Sequence, residues 1–141
     1  MSRPIAFVSS TIRDFSDLRS ALKFWLEEMG YEVLMSEHND FEKKLTKDSY
    51  TACLESIDIA DYFILLIGAR SGGWFDKKQK VTITQAEYRR AYARFKATGR
   101  PTIVNFVRRA VLDVHAPAHR DRTKRRMPIG QNGASRSPDR W

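Results

Sequence analysis

The sequence predicts an α/β domain: four parallel strands in the order 2-1-3-4, helices on both faces, then a basic tail. Three observations carry this. Short apolar runs alternate with helical stretches along the first 107 residues. The helical stretches place apolar residues at steps of three and four, so each has one buried face. The run Tyr62-Phe63-Ile64-Leu65-Leu66-Ile67 is apolar on both faces, the pattern of a central parallel strand covered from both sides. Strand–helix alternation of this kind builds a parallel sheet from right-handed crossovers, and the expected arrangement is flavodoxin-like.

Each element has its own reason. Ile5-Ala6-Phe7-Val8, between Pro4 and Ser9-Ser10, reads as a short buried strand. Phe15, Leu18, Leu22, Trp25, Leu26 and Met29 mark a helix, with Asp14 or Ser16 near its start and Gly30 as its stop. Tyr31 to Met35 reads as the second strand and the polar stretch 36–47 as loop. Tyr50, Cys53, Leu54, Ile57 and Ala60 mark a second helix, with Asp48 or Ser49 as its N-cap. After the central strand, Gly68 to Phe75 is a glycine-rich loop. Tyr88, Ala91, Tyr92 and Phe95 line a third helix that Gly99 and Pro101 end, and Thr102 to Val107 is the fourth strand. Such folds usually hold a fifth strand, for which Val111-Leu112-Asp113-Val114 is the only candidate.

The formal charge of +8 is unevenly spread. Residues 108–141 hold nine Lys/Arg against three Asp/Glu, whereas residues 1–107 hold 16 against 14. All eight Phe and all five Tyr precede residue 108, and three of the five Pro follow it. We therefore divide the chain into a nearly neutral domain, 1–109, and a basic tail, 110–141, with the composition of a disordered arm. Arg120, Arg122, Lys124, Arg125 and Arg126 could attract phosphates, but no aromatic residues are interleaved to stack on bases, so nucleic acid is not the expected partner. The longest apolar run, Phe63 to Ile67, is too short to cross a bilayer, and the N-terminus lacks a signal peptide's apolar region. A cytoplasmic protein without a membrane role is expected. One cysteine, Cys53, leaves no disulfide framework or cysteine-rich zinc site, and its place on an apolar helix face marks it as a core residue. His38, His115 and His119 have no metal-ligand spacing, since Pro117 stands between the last two.

In an open parallel sheet, ligands bind beyond the carboxyl ends of the strands where strand order reverses, here between the first and third strands. The loops at that point are 9–15 and 68–75, with the start of the third helix beside them. Ser9, Ser10 and Thr11 offer hydroxyls that could hold phosphate or ribose, or could serve as turn and capping residues. Arg13 could meet a phosphate or stay solvated. Asp14 could accept from a ribose hydroxyl or cap the first helix. The loop with Gly68 and Arg70 lacks the Gly-Lys-Ser/Thr ending of a Walker P-loop and the dinucleotide fingerprint. Its glycines let backbone approach a ligand or make a tight turn. Trp74 could stack on a base or cover the sheet edge, as could Phe75. Thr84-Gln85-Ala86-Glu87 has the form of a capping box, in which Glu87 would bond back to the amide of Thr84. The other reading of Glu87 is a carboxylate at a helix start, facing the cleft, that acts on a sugar's anomeric carbon.

Phe7-Val8-Ser9-Ser10-Thr11-Ile12-Arg13-Asp14 resembles the opening F-V-S-S-T-x-R-D of the domain of unknown function family four-zero-six-two. The resemblance continues through Leu18, Arg19, Gly30-Tyr31, Cys53 to Ile57, Asp61-Tyr62, Ile67 to Arg70, Gly72-Gly73, Thr84-x-x-Glu87-Tyr88 and Gly99-Arg100-Pro101, over about residues 4–108. It implies a domain related to TIR and nucleoside deoxyribosyltransferase-like folds, set in bacterial defence or signalling proteins beside NTPase modules and repeat arrays; a homo-oligomer is the alternative assembly expected. In the enzymatic relatives a glutamate at the helix after the third strand acts on the N-glycosidic bond of NAD or a nucleoside, and Glu87 stands at the matching position. The resemblance implies no bound cofactor, since NAD or a nucleoside would be substrate. It extends to Ser9, Ser10 and Asp14 as ligand-loop residues. It also implies a last helix and further modules, so the basic turn after Arg109 reads as a truncation or a change of frame. The opposing expectation is a non-catalytic interaction or oligomerisation module.

Overall fold

The computed structural model describes residues 2–35 and 47–115. The elements in chain order are β1 (Ile5–Ser10), α1 (Ile12–Glu28), β2 (Glu32–Met35), α2 (Lys47–Asp58), β3 (Tyr62–Ile67), β4 (Trp74–Asp76), β5 (Val81–Thr82), α3 (Ile83–Thr98), β6 (Thr102–Val107) and α4 (Arg109–His115). The main sheet has the order β2-β1-β3-β6, and its three pairings are parallel. This is the predicted 2-1-3-4 arrangement.

The period-two alternation of strands sorts the core into two halves. Ala6 and Val8 of β1, with Ile64 and Leu66 of β3, pack against Phe15 and Leu26 of α1. Phe7 of β1, with Phe63 and Leu65 of β3, packs on the other face against Ile57 of α2 and Ala91 of α3. Phe7 and Phe63 are register partners and their rings stack with centroids 5.7 Å apart. Because the chain moves to opposite sides of β1 in building β2 and β3, right-handed crossovers must put α1 on one face and α2 on the other. The same topology opens a crevice at the carboxyl ends of β1 and β3.

Several boundaries differ from the sequence reading. Helix α1 begins at Ile12 with Thr11 in the N-cap position, so Asp14 lies inside the first turn and does not cap it, and Ser16 lies further in. Helix α2 begins at Lys47, ahead of Asp48 and Ser49. Trp74 and Phe75 leave the loop to form β4, which pairs antiparallel with β5 in a small hairpin. Asp76 closes its turn by accepting from the amides of Lys78 and Gln79. Two strands of three and two residues carry too little periodicity to be recognised in advance. The fifth-strand candidate, Val111 to Val114, is instead part of helix α4. Four residues with three apolar positions fit either period, so only pairing partners could have decided it. The expected ends of α1 and α3 are in place: Gly30 (φ 89°) and Gly99 (φ 76°) adopt the left-handed conformation that stops a helix. The loop expected at 36–47 lies, but for Lys47, outside the described residues, as does the tail from residue 116 with His119; so does His38.

Candidate active site

Glu87 is fixed by two features of α3. The N-cap of the helix lies two residues before the predicted one. Thr82 is the N-cap, its hydroxyl accepts from the Gln85 amide (3.2 Å), and the Gln85 side chain accepts from the Thr82 amide (2.9 Å). The capping box is thus Thr82–Gln85, and Glu87 is not engaged with Thr84. From this start, Ile83, Glu87 and Ala91 recur at steps of four and form the buried stripe of α3. Glu87 therefore occupies a core position facing the sheet and is 1% exposed.

The sheet answers with Ser9. Along β1 the alternation sends Phe7 and Ser9 toward α3. The fully buried Ser9 donates its hydroxyl to Glu87 Oε2 at 2.5 Å. Burying a carboxylate is expensive without such hydrogen bonds. Tyr50 of α2 lies close enough to feel this group. Its hydroxyl is pushed above the usual tyrosine range by burial first, then by Cys53 and by Glu87. Ser9→Ala should cost about 1–3 kcal/mol, because it removes a hydrogen-bond donor from a buried carboxylate oxygen. Urea unfolding of the two proteins measures this, and an unchanged midpoint would contradict it.

Ser10 points the other way. It is buried on the α1 face, where its hydroxyl accepts from Arg19 Nη1 at 2.9 Å. The two adjacent serines thus serve opposite faces of the sheet. Asp14 neither caps α1 nor stands open: its carboxylate accepts from the amide of Arg70 (3.0 Å) and from Arg70 Nε (3.1 Å). Its carbonyl accepts from Arg108, whose guanidinium lies 4.5 Å from the centre of the Phe15 ring. Asp14 so clamps the loop after β3 to the start of α1. Gly68 makes the clamp fit, since a Cβ there would sit 2.8 Å from the Phe15 ring and 2.9 Å from Asp14 Oδ2. Gly68→Ala should destabilise the domain by about 1–3 kcal/mol through this overpacking. A thermal midpoint equal to that of the parent protein would refute it.

Beside this clamp, a cleft of about 540 Å³ opens at the carboxyl ends of β3 and β6. Thr11 and Arg70 of the predicted set line it, with Ser71. Its other wall is one face of α3: Thr84, Gln85, Tyr88 and Arg89, at i, i+1, i+4 and i+5. Ser9 and Glu87 are not on the cleft wall, nor are Ser10, Arg13, Asp14, Gly68 and Trp74. Arg13 is exposed on α1, and Trp74 is 45% exposed on β4. Tyr50, Thr82, Tyr88 and Arg89 were absent from the sequence-derived site. The helical step that groups Thr84, Gln85, Tyr88 and Arg89 was available to find two of them, Tyr88 and Arg89, but only the true helix start shows which face is turned inward. Among the described residues no group of three His, Cys, Asp or Glu could hold a metal ion, and no helix is long and apolar enough to cross a membrane.

Comparison with known proteins gives one family and one distant likeness. A family model described as "Domain of unknown function (DUF4062)" matches residues 6–132. The match runs past the boundary at 109 drawn from composition and takes in α4. No curated protein matches the chain. Among solved structures, the Clostridium botulinum CMP N-glycosidase BcmB is similar, with 17% identity, a TM-score of 0.45, and coverage of 79% of this chain and 99% of that one.

Proposed function

The chain belongs to the DUF4062 family, and we propose that it is a TIR-like nucleotide-binding domain of a signalling or defence protein that cleaves the N-glycosidic bond of NAD or a nucleoside. The observation that carries this is a carboxylate, Glu87, held by a strand hydroxyl at the switch point of a parallel sheet, where such folds bind ligands. A core stripe has no structural use for a carboxylate that an apolar residue would not serve at lower cost. In the reaction, a Glu87 oxygen bonds to the anomeric carbon as the carbon–nitrogen bond breaks and its electron pair leaves with the base. Nicotinamide departs neutral from NAD. Water then adds at the same carbon, the ester bond to Glu87 breaks, and a proton is released; from a nucleoside it goes to the base. Ser9 orients the carboxylate for attack. Because Glu87 is 1% exposed and stands off the cleft wall, turnover requires it to be uncovered when substrate binds.

That same burial favours a second reading. Here the Ser9–Glu87 bond is an internal tie, and the domain is a non-catalytic module that recruits or oligomerises partners, including NTPase or repeat modules. Chromatography of NAD and of nucleosides after incubation with the protein separates the two. Free nicotinamide or free base, formed in proportion to protein, supports cleavage. Intact substrate across protein concentrations that span self-association leaves the interaction module.

A further inference from the structure

The cleft itself has a chemistry that the position of Glu87 does not specify. Its lining holds two arginines, Arg70 and Arg89, and no carboxylate. Arg70 is committed to Asp14, which leaves Arg89 as the cation able to meet a ligand. Arg89 is exposed and forms no ion pair with the described residues. Thr11, on the facing wall, is 4% exposed, and its hydroxyl oxygen is buried with no hydrogen-bond partner among the described residues. A buried hydroxyl without a partner is uncommon and costs free energy, so a site that completes it in the bound state is a consistent explanation. The first turn of α3 adds the hydroxyl of Thr84, and helix starts attract anions. About 540 Å³ lies within the range of small-molecule sites.

We propose that this cleft recognises a phosphoryl group, with Arg89 as the charged contact and the Thr11 and Thr84 hydroxyls as donors. The ligand is then a nucleotide rather than an uncharged nucleoside. The inference rests on the proposed reading of the domain as nucleotide-binding, but its test does not depend on catalysis.

The probes are ribose 5-phosphate against ribose, which differ only in the phosphoryl group, measured by calorimetry on the whole protein. AMP and NAD then distinguish a terminal phosphate from a bridging pyrophosphate. Ribose 5-phosphate should bind and ribose should not. Arg89→Ala should weaken ribose 5-phosphate by roughly tenfold to a hundredfold, as expected for loss of a charge-assisted hydrogen bond. Arg89→Lys should retain part of the binding, since the charge stays and the planar fork is lost. Arg89 is on the surface, so both variants should keep the parent melting temperature, which serves as the folding control. Equal binding of the two sugars, or an Arg89→Ala protein as tight as the parent, overturns the inference. Cleavage of uncharged nucleosides without ribose 5-phosphate binding would sink this inference and keep the proposed activity. Arg89-dependent phosphate binding without any cleavage would do the reverse.

Discussion

Glu87→Gln is expected to lower base release from NAD or a nucleoside by roughly a thousandfold or more while leaving the fold intact. The amide keeps the shape of the carboxylate, and its carbonyl oxygen can still accept from the Ser9 hydroxyl that now lies 2.5 Å from Glu87 Oε2. It cannot form the bond to the anomeric carbon. Because Glu87 sits in the buried stripe with Ile83 and Ala91, removing its capacity for charge should leave stability unchanged or raise it. The measurement is initial rate together with the urea midpoint of both proteins. A Glu87→Gln protein as active as its parent would end the catalytic reading. A large fall in the midpoint would show instead that the residue acts by holding α3 to the sheet.

Phe63→Ala should remove about 3–5 kcal/mol of stability. Phe63 is fully buried near the start of β3, stacked on Phe7 and close to Tyr88, whose ring centroid is 6.4 Å away. No neighbouring loop can collapse into the space, since the residue lies between two strands and under α3. A loss of this size is a large part of what a domain has. It should reach the site as well, because the same packing sets α3 and with it Glu87, Tyr88 and Arg89. Urea unfolding followed by circular dichroism tests it, and a loss below about 1 kcal/mol would mean that the core repacks.

The start of α3 is not encoded by local sequence alone. Thr82-Ile83-Thr84-Gln85 and Thr84-Gln85-Ala86-Glu87 both fit the capping-box pattern, two residues out of phase. Local chemistry cannot choose between them. The second assigns Glu87 to the cap and makes it unremarkable. The first is the one formed, because it turns Ile83, Glu87 and Ala91 onto the sheet together. Asp14 carries a similar lesson. Its place near a helix start suggests a cap or a ribose acceptor, whereas its partner is Arg70, 56 residues away along the chain. Ser9 and Ser10 look equivalent in sequence, and only the alternation of β1 between α1 and α3 separates their roles.

The strand order, the two-sided core and the switch point at the ends of β1 and β3 are legible in the chain before it folds. These follow from periodicity, burial and crossover handedness, which are properties of segments read one after another. Tertiary structure alone decided that Glu87 is a buried partner of Ser9, that Arg70 is spent on Asp14, and that Arg89 faces the cleft. Each of these depends on which face of an element meets which neighbour. A shift of two residues in a helix start turns the helix by more than half a circle, and no local pattern in the chain encodes that choice.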